Sequence, residues 1–144
     1  MVRIFQHEHL KNYIYINYSE KLYVRDSETA SSKFDQITAN MKNLTIILNY
    51  TDATGLVDKD YVLHMATRGF QFESRIKEVA TFGIKKIFFY LYKLAMTITT
   101  ARQFKRLYFK SAEEIETNYS INLSEFKLVF SSKEIKENST KRIL

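Results

Sequence analysis

Three sets of side chains in this 144-residue chain have types and spacings that could do chemistry. His7-Glu8-His9 puts two imidazoles two residues apart, on one side of an extended segment. A metal site needs three or four ligands, and His64 is the only other histidine, so polar surface is the better reading and no metal is expected. Asp52, Thr54 and Asp58 surround a turn-like segment after an apolar run, where open α/β sheets receive ligands. Turn and helix-cap chemistry explains these aspartates too; they stand as ligand-loop candidates. Gly55 is isolated, and no Lys-Ser/Thr follows it, so no phosphate loop is present. Glu113-Glu114 is acidic in the way helix starts are. No Gly-x-Ser-x-Gly elbow occurs, and no histidine has a setting suited to a nucleophile–base–acid set. The expectation is therefore a non-enzymatic protein with no catalytic residue and no cofactor.

The third set is basic and aromatic: Arg102, Lys105, Arg106 and Lys110 interleaved with Phe104, Tyr108 and Phe109. Such a segment can contact phosphates and stack bases, but a strand with one wet face has the same pattern. The net charge of +6 is spread along the chain, so nucleic acid is not the expected partner. Cysteine is absent, which removes disulfides, thiolate metal sites and thiol nucleophiles and fits a reducing compartment. The start of the sequence has no apolar run of signal-peptide type, and no segment reaches the ~18 apolar residues of a span. A cytoplasmic protein is expected. The six Asn-x-Ser/Thr triplets then follow from an Asn- and Ser-rich composition.

The elements that must position these residues alternate. Tyr13 to Tyr18 is rich in aromatic and β-branched residues and predicts a strand, with Ile4-Phe5 starting an earlier strand of the same hairpin. Asp26 or Ser27 can cap a first helix over Glu28 to Lys42, with Phe34, Ile37 and Met41 at helical spacing. Leu44 to Tyr50 predicts a strand buried on both faces, followed by a loop over Thr51 to Gly55. A second helix starts at Asp58, a second buried strand covers Ile76 to Phe82 and ends at Gly83, and a third helix covers Ile84 to Thr99. Arg102 to Phe109 carries a last strand. Ser111 and Glu114 have capping-box spacing at the start of a fourth helix. Phe126 to Phe130 reads as either a short strand or an apolar docking segment. These features predict a single domain over residues 1–120 and a partly ordered C-terminal extension over 121–144. Its fold class is α/β: a mainly parallel sheet of four or five strands, with an N-terminal antiparallel hairpin and covering helices.

The third helix carries most of the functional content. At 100° per residue, Ile84, Ile87, Phe88, Leu91, Leu94, Ala95 and Ile98 span an arc of about 120°, a normal inner face. Lys86, Lys93 and Thr97 mark the opposite side, and Phe89, Tyr92 and Met96 form an apolar flank between them. Apolar surface beyond the reach of the sheet meets the chain's own tail, a protein or a lipid. A protein partner, a second copy included, is the leading expectation. The alternative is a lipid, a small apolar ligand or a membrane surface, with the lysines near anionic head groups.

From Leu44 to about Tyr119 the chain resembles the SpoIIAA-like or STAS-like domains, a superfamily that includes CRAL-TRIO lipid-binding domains. The resemblance rests on Ile46-Ile47-Leu48-Asn49-Tyr50-Thr51-Asp52-Ala53, a following helix, Ile76-Lys77-Glu78-Val79-Ala80-Thr81-Phe82-Gly83, and the stretch from Ile84-Lys85-Lys86-Ile87 to Leu107-Tyr108-Phe109-Lys110-Ser111-Ala112-Glu113-Glu114. It implies a four- or five-stranded sheet with helices on one side and a regulatory or binding role. Anti-sigma-factor antagonists, which resemble this fold, are switched by phosphorylation of a serine at the start of the second helix. The matching Leu56-Val57-Asp58-Lys59-Asp60 has no hydroxyl residue, and Thr54 is the nearest, so the switch does not carry over.

Overall fold

The protein is described by a computed structural model over residues 1–56, 75–85 and 105–132. Strands β1 (Val2–Gln6) and β2 (Tyr13–Leu22) form an antiparallel hairpin, as their aromatic and β-branched residues predict. Helix α1 (Val24–Thr38) follows, then β3 (Leu44–Leu56), β4 (Ile76–Phe82), β5 (Lys105–Phe109), α2 (Ala112–Tyr119), a short 3-10 turn (Leu123–Glu125) and β6 (Lys127–Ser131). The sheet order is β5-β4-β3-β2-β1-β6. The four strands β2 to β5 are mutually parallel, and β1 runs antiparallel to both its neighbours.

The expected mainly parallel sheet with an N-terminal hairpin is what forms, but it has six strands. The sixth comes from the segment expected to be an extension beyond residue 120: β6 pairs with β1, and Val2 N donates to the buried Ser132 Oγ at 2.9 Å. The segment after Tyr50 also differs from expectation. Thr51 to Gly55 is not a loop; β3 continues through it, pairing Ser19 with Asp52, Glu20 with Ala53 and Lys21 with Gly55. Two register shifts make this extension possible, with Glu20 at φ +62° beside one of them, an irregularity that strand propensity does not encode.

Ile46 and Ile47 are successive strand residues on opposite faces of the sheet, and they belong to different cores. On one face, Ile14, Ile16, Tyr18, Ile46 and Leu48 pack with Ala30 and Phe34 of α1; Tyr18 and Tyr50 stack at 4.4 Å and 3°. On the other, Ile47, Ala80 and Phe82 pack with Ile115 of α2. The two described helices therefore cover both faces, not one.

Helix α1 starts four residues earlier than the cap residues predict. Tyr23 is the N-cap and makes no side-chain cap bond, while Asp26 sits buried in the first turn, 3.8 Å from the Met1 ammonium. The helix stops at Thr38, where Arg75 donates to both the Thr38 carbonyl and its Oγ1. Met41 lies beyond that end but still packs on the core. The fourth expected helix is α2, with Ser111 Oγ accepting from Glu114 N at 3.3 Å and Glu114 Oε2 reaching back to Lys110 N at 2.8 Å. The helix expected from Asp58 lies outside the described residues; of the helix expected over Ile84 to Thr99, Ile84 and Lys85 are not helical, because Gly83 at φ +77° turns the chain there, and the rest lies outside the described residues. No helix among the described residues is long and apolar enough to cross a membrane.

Candidate binding site

The carboxyl ends of the parallel strands lie together at one edge of the sheet, where an open α/β fold receives ligands. On the α2 face of that edge, three polar side chains from two adjacent strands converge. Tyr15 stands on β2 two residues before Asn17, and Asn49 is the register partner of Asn17 on β3. Asn49 Nδ2 donates to the Tyr15 hydroxyl at 2.8 Å, and Asn49 Oδ1 accepts from Thr51 N at 2.9 Å. One asparagine thus ties the phenol to the backbone where β3 runs beyond β4. Burial pushes the Tyr15 phenol above its ordinary value; hydrogen bonds from Asn49 and Asn17 oppose this, and the charges of Asp52 and Glu116 reinforce it. Asp52 follows Asn49 by three residues on β3 and pairs with Ser19, two residues after Asn17 on β2.

Of the expected ligand-loop residues, Asp52 and Thr54 stand exposed on β3 and not in a loop, and Asp58 lies outside the described residues. The expected partner-binding residues Lys86, Phe89, Tyr92, Lys93 and Met96 also lie outside them, as does His64. Asp52 is therefore the one expected site residue found next to the polar cluster. Sequence reading missed Tyr15, Asn17 and Asn49. A signal was available: asparagine is depleted in strands, yet it occurs at both positions inside apolar runs.

His7 and His9 do not form a paired site. His7 Nδ1 accepts from His9 N and Leu10 N, each at 3.0 Å, so its proton sits on Nε2, which donates to Glu125 Oε2 at 3.0 Å. The ring also packs edge-on against Phe126 at 5.1 Å. His7 thereby closes the β1–β2 turn and anchors the segment leading into β6. Among the described residues no three His, Cys, Asp or Glu side chains are grouped as metal ligands.

Toward the amino ends of β2 and β4, on the α2 face, Tyr119 of α2 donates to Glu78 Oε2 at 3.0 Å, and its ring meets Tyr13 edge-on at 6.0 Å. Burial and the Glu78 carboxylate hold both phenols above the ordinary tyrosine range. A polar link of this kind fixes α2 on the sheet. Beside the Asn49 cluster, a cleft of about 390 Å³ opens at the ends of β4 and β5, lined by residues 81–84 and 108–110.

No family model matches the chain, and no curated protein matches it. A solved structure does: an uncharacterized protein of the DUF3478 family from Shewanella loihica, described as having a SpoIIAA-like fold. It is 16% identical at a TM-score of 0.60, over 78% of this chain and 89% of that one. On that likeness, the chain has a SpoIIAA-like α/β fold.

Proposed function

We propose that the chain is a non-enzymatic regulatory or interaction module that binds a protein partner, a second copy of itself included, through the stretch 84–99 and its adjoining loops. The sequence pattern of residues 84–99 carries this reading. On a helix over this stretch, at about 100° per residue, Tyr92, Met96 and Phe89 would fall about 80° to 140° from Ile84, and Lys93 and Lys86 about 160° to 180° from it. That spacing supports the assignment of the aromatic flank to surface that a partner can cover. A cytoplasmic setting belongs to the same reading and is supported by a 144-residue sequence without cysteine.

Sedimentation of the full chain at tens of micromolar tests it. The wild type is expected to sediment as a dimer, and Phe89→Asp as a monomer with an unchanged far-ultraviolet spectrum. The lysines bordering the flank favour an anionic lipid surface as the second reading. That reading predicts flotation with phosphatidylserine vesicles, lost in Phe89→Asp. A wild-type monomer that also stays off the vesicles overturns both.

A further inference from the structure

The basic and aromatic segment around β5 offers two uses, and the structure separates them. Stacking of bases needs aromatic faces presented side by side. Tyr108 and Phe109 are successive strand residues on opposite faces, and Phe109 is taken up by Tyr119 at 6.2 Å. Tyr108 contributes instead to the cleft at the ends of β4 and β5. Its neighbour across the ladder is Thr81, a buried residue.

The cleft has a divided lining. Phe82, Ile84 and Phe109 give it an apolar part, drawn from the cores of both sheet faces. Thr81, Tyr108 and Lys110 give it hydroxyls and a cation. Arg106, two residues before Tyr108 on the same strand face, adds a second positive charge whose field reaches the Tyr108 phenol. Of the acids of the first turn of α2, Glu113 and Glu114 line a separate shallow cleft with Phe109, Thr117 and Asn118, and Glu114 Oε2 is engaged by the backbone N–H of Lys110 at 2.8 Å, which leaves the Lys110 ammonium and Arg106 in excess of it. Gly83 allows the cleft to form. At φ +77° it turns the chain out of β4 while lying directly against Thr51. A volume of about 390 Å³ suits a small ligand, and an apolar lining with a few convergent polar groups is the usual composition of such sites.

We propose that this cleft binds a small amphiphilic organic anion, with its carboxylate at Lys110 and the Tyr108 hydroxyl and its apolar body against Ile84 and Phe109. Charge complementarity selects the head and the apolar lining selects the body. The described lining, residues 81–84 and 108–110, shares Ile84 with the stretch of the partner-binding reading, so the test is placed at Tyr108 and Lys110, outside that stretch.

Sodium octanoate is the probe, titrated into the full chain by calorimetry and by amide chemical shifts. Binding should move the amides of residues 81–84 and 108–110. Lys110→Glu should weaken it by about tenfold or more, as expected for loss of a charge-assisted contact. Tyr108→Phe, which removes only a hydroxyl, should weaken it several-fold with the melting curve unchanged. Octanol binding as tightly as octanoate would overturn the assignment of the head group, and inorganic phosphate binding as tightly would overturn that of the apolar body. Unchanged octanoate affinity in both cleft variants would overturn the site.

Discussion

Of the two described glycines, Gly83 is the one whose replacement the backbone tolerates less. A Cβ added there would lie 2.3 Å from Thr51 Oγ1 and 2.6 Å from Thr51 N, and the residue is held at φ +77°. Left-handed strain costs roughly 1–2 kcal/mol and overpacking roughly 1–3 kcal/mol. Gly83→Ala should therefore destabilise the protein by about 3 kcal/mol in urea unfolding. Gly55 is the control: a Cβ there meets nothing within 4 Å, so Gly55→Ala should change stability by less than about 0.5 kcal/mol. The Asn49–Tyr15 pair shows at the same scale why a site can be invisible in a string of letters. Its partners are 34 residues apart and meet only because β2 and β3 pair in parallel.

At the scale of elements, β6 deserves most weight because it lies so late in the chain. Pairing with β1 carries Phe130 into the α1-face core, and the segment just before it buries Phe126 against the rings of His7 and Tyr15. Removing a buried phenylalanine costs roughly 3–5 kcal/mol, and a domain's whole stability is roughly 5–15 kcal/mol. A chain ended after residue 120 loses both aromatics and uncovers the β1 edge. It should lose its cooperative thermal transition and aggregate, whereas the full chain melts cooperatively; differential scanning calorimetry compares the two. A sharp melt in the shortened chain would show that β6 is dispensable.

For the whole molecule, alkaline pH probes the interior. Tyr13, Tyr15, Tyr108 and Tyr119 are all held above the ordinary tyrosine value of 10.0, in each case first by burial and at Tyr119 next by its hydrogen bond to Glu78. The unfolded chain gives up these protons from about pH 10 upward, before the folded chain does. Above that pH the native state holds more protons than the unfolded state, so stability falls as pH rises. Below it, the contribution of these tyrosines is complete. Unfolding midpoints followed from pH 8 to pH 12 are expected to be flat to about pH 10 and then to drop. Tyr119→Phe should make the drop shallower, and phenolate absorbance should show late-titrating tyrosines that merge with the rest on unfolding.

The identity of strands β1 to β5, the α/β class, the cap at Ser111 and the turn at Gly83 were all legible in the sequence, because each is set by neighbours within a few residues. Local propensity and periodicity are enough for such features. Only the tertiary structure decided where β3 ends, that residues 127–131 join the sheet beside β1, that helices lie on both faces, and that Tyr15 meets Asn49. These outcomes depend on pairing between segments far apart in the chain, where register, bulges and burial outweigh the preference of any single residue. Asp26 makes the same point: a good cap by type, it became a buried first-turn acid because the sheet fixed where α1 had to begin.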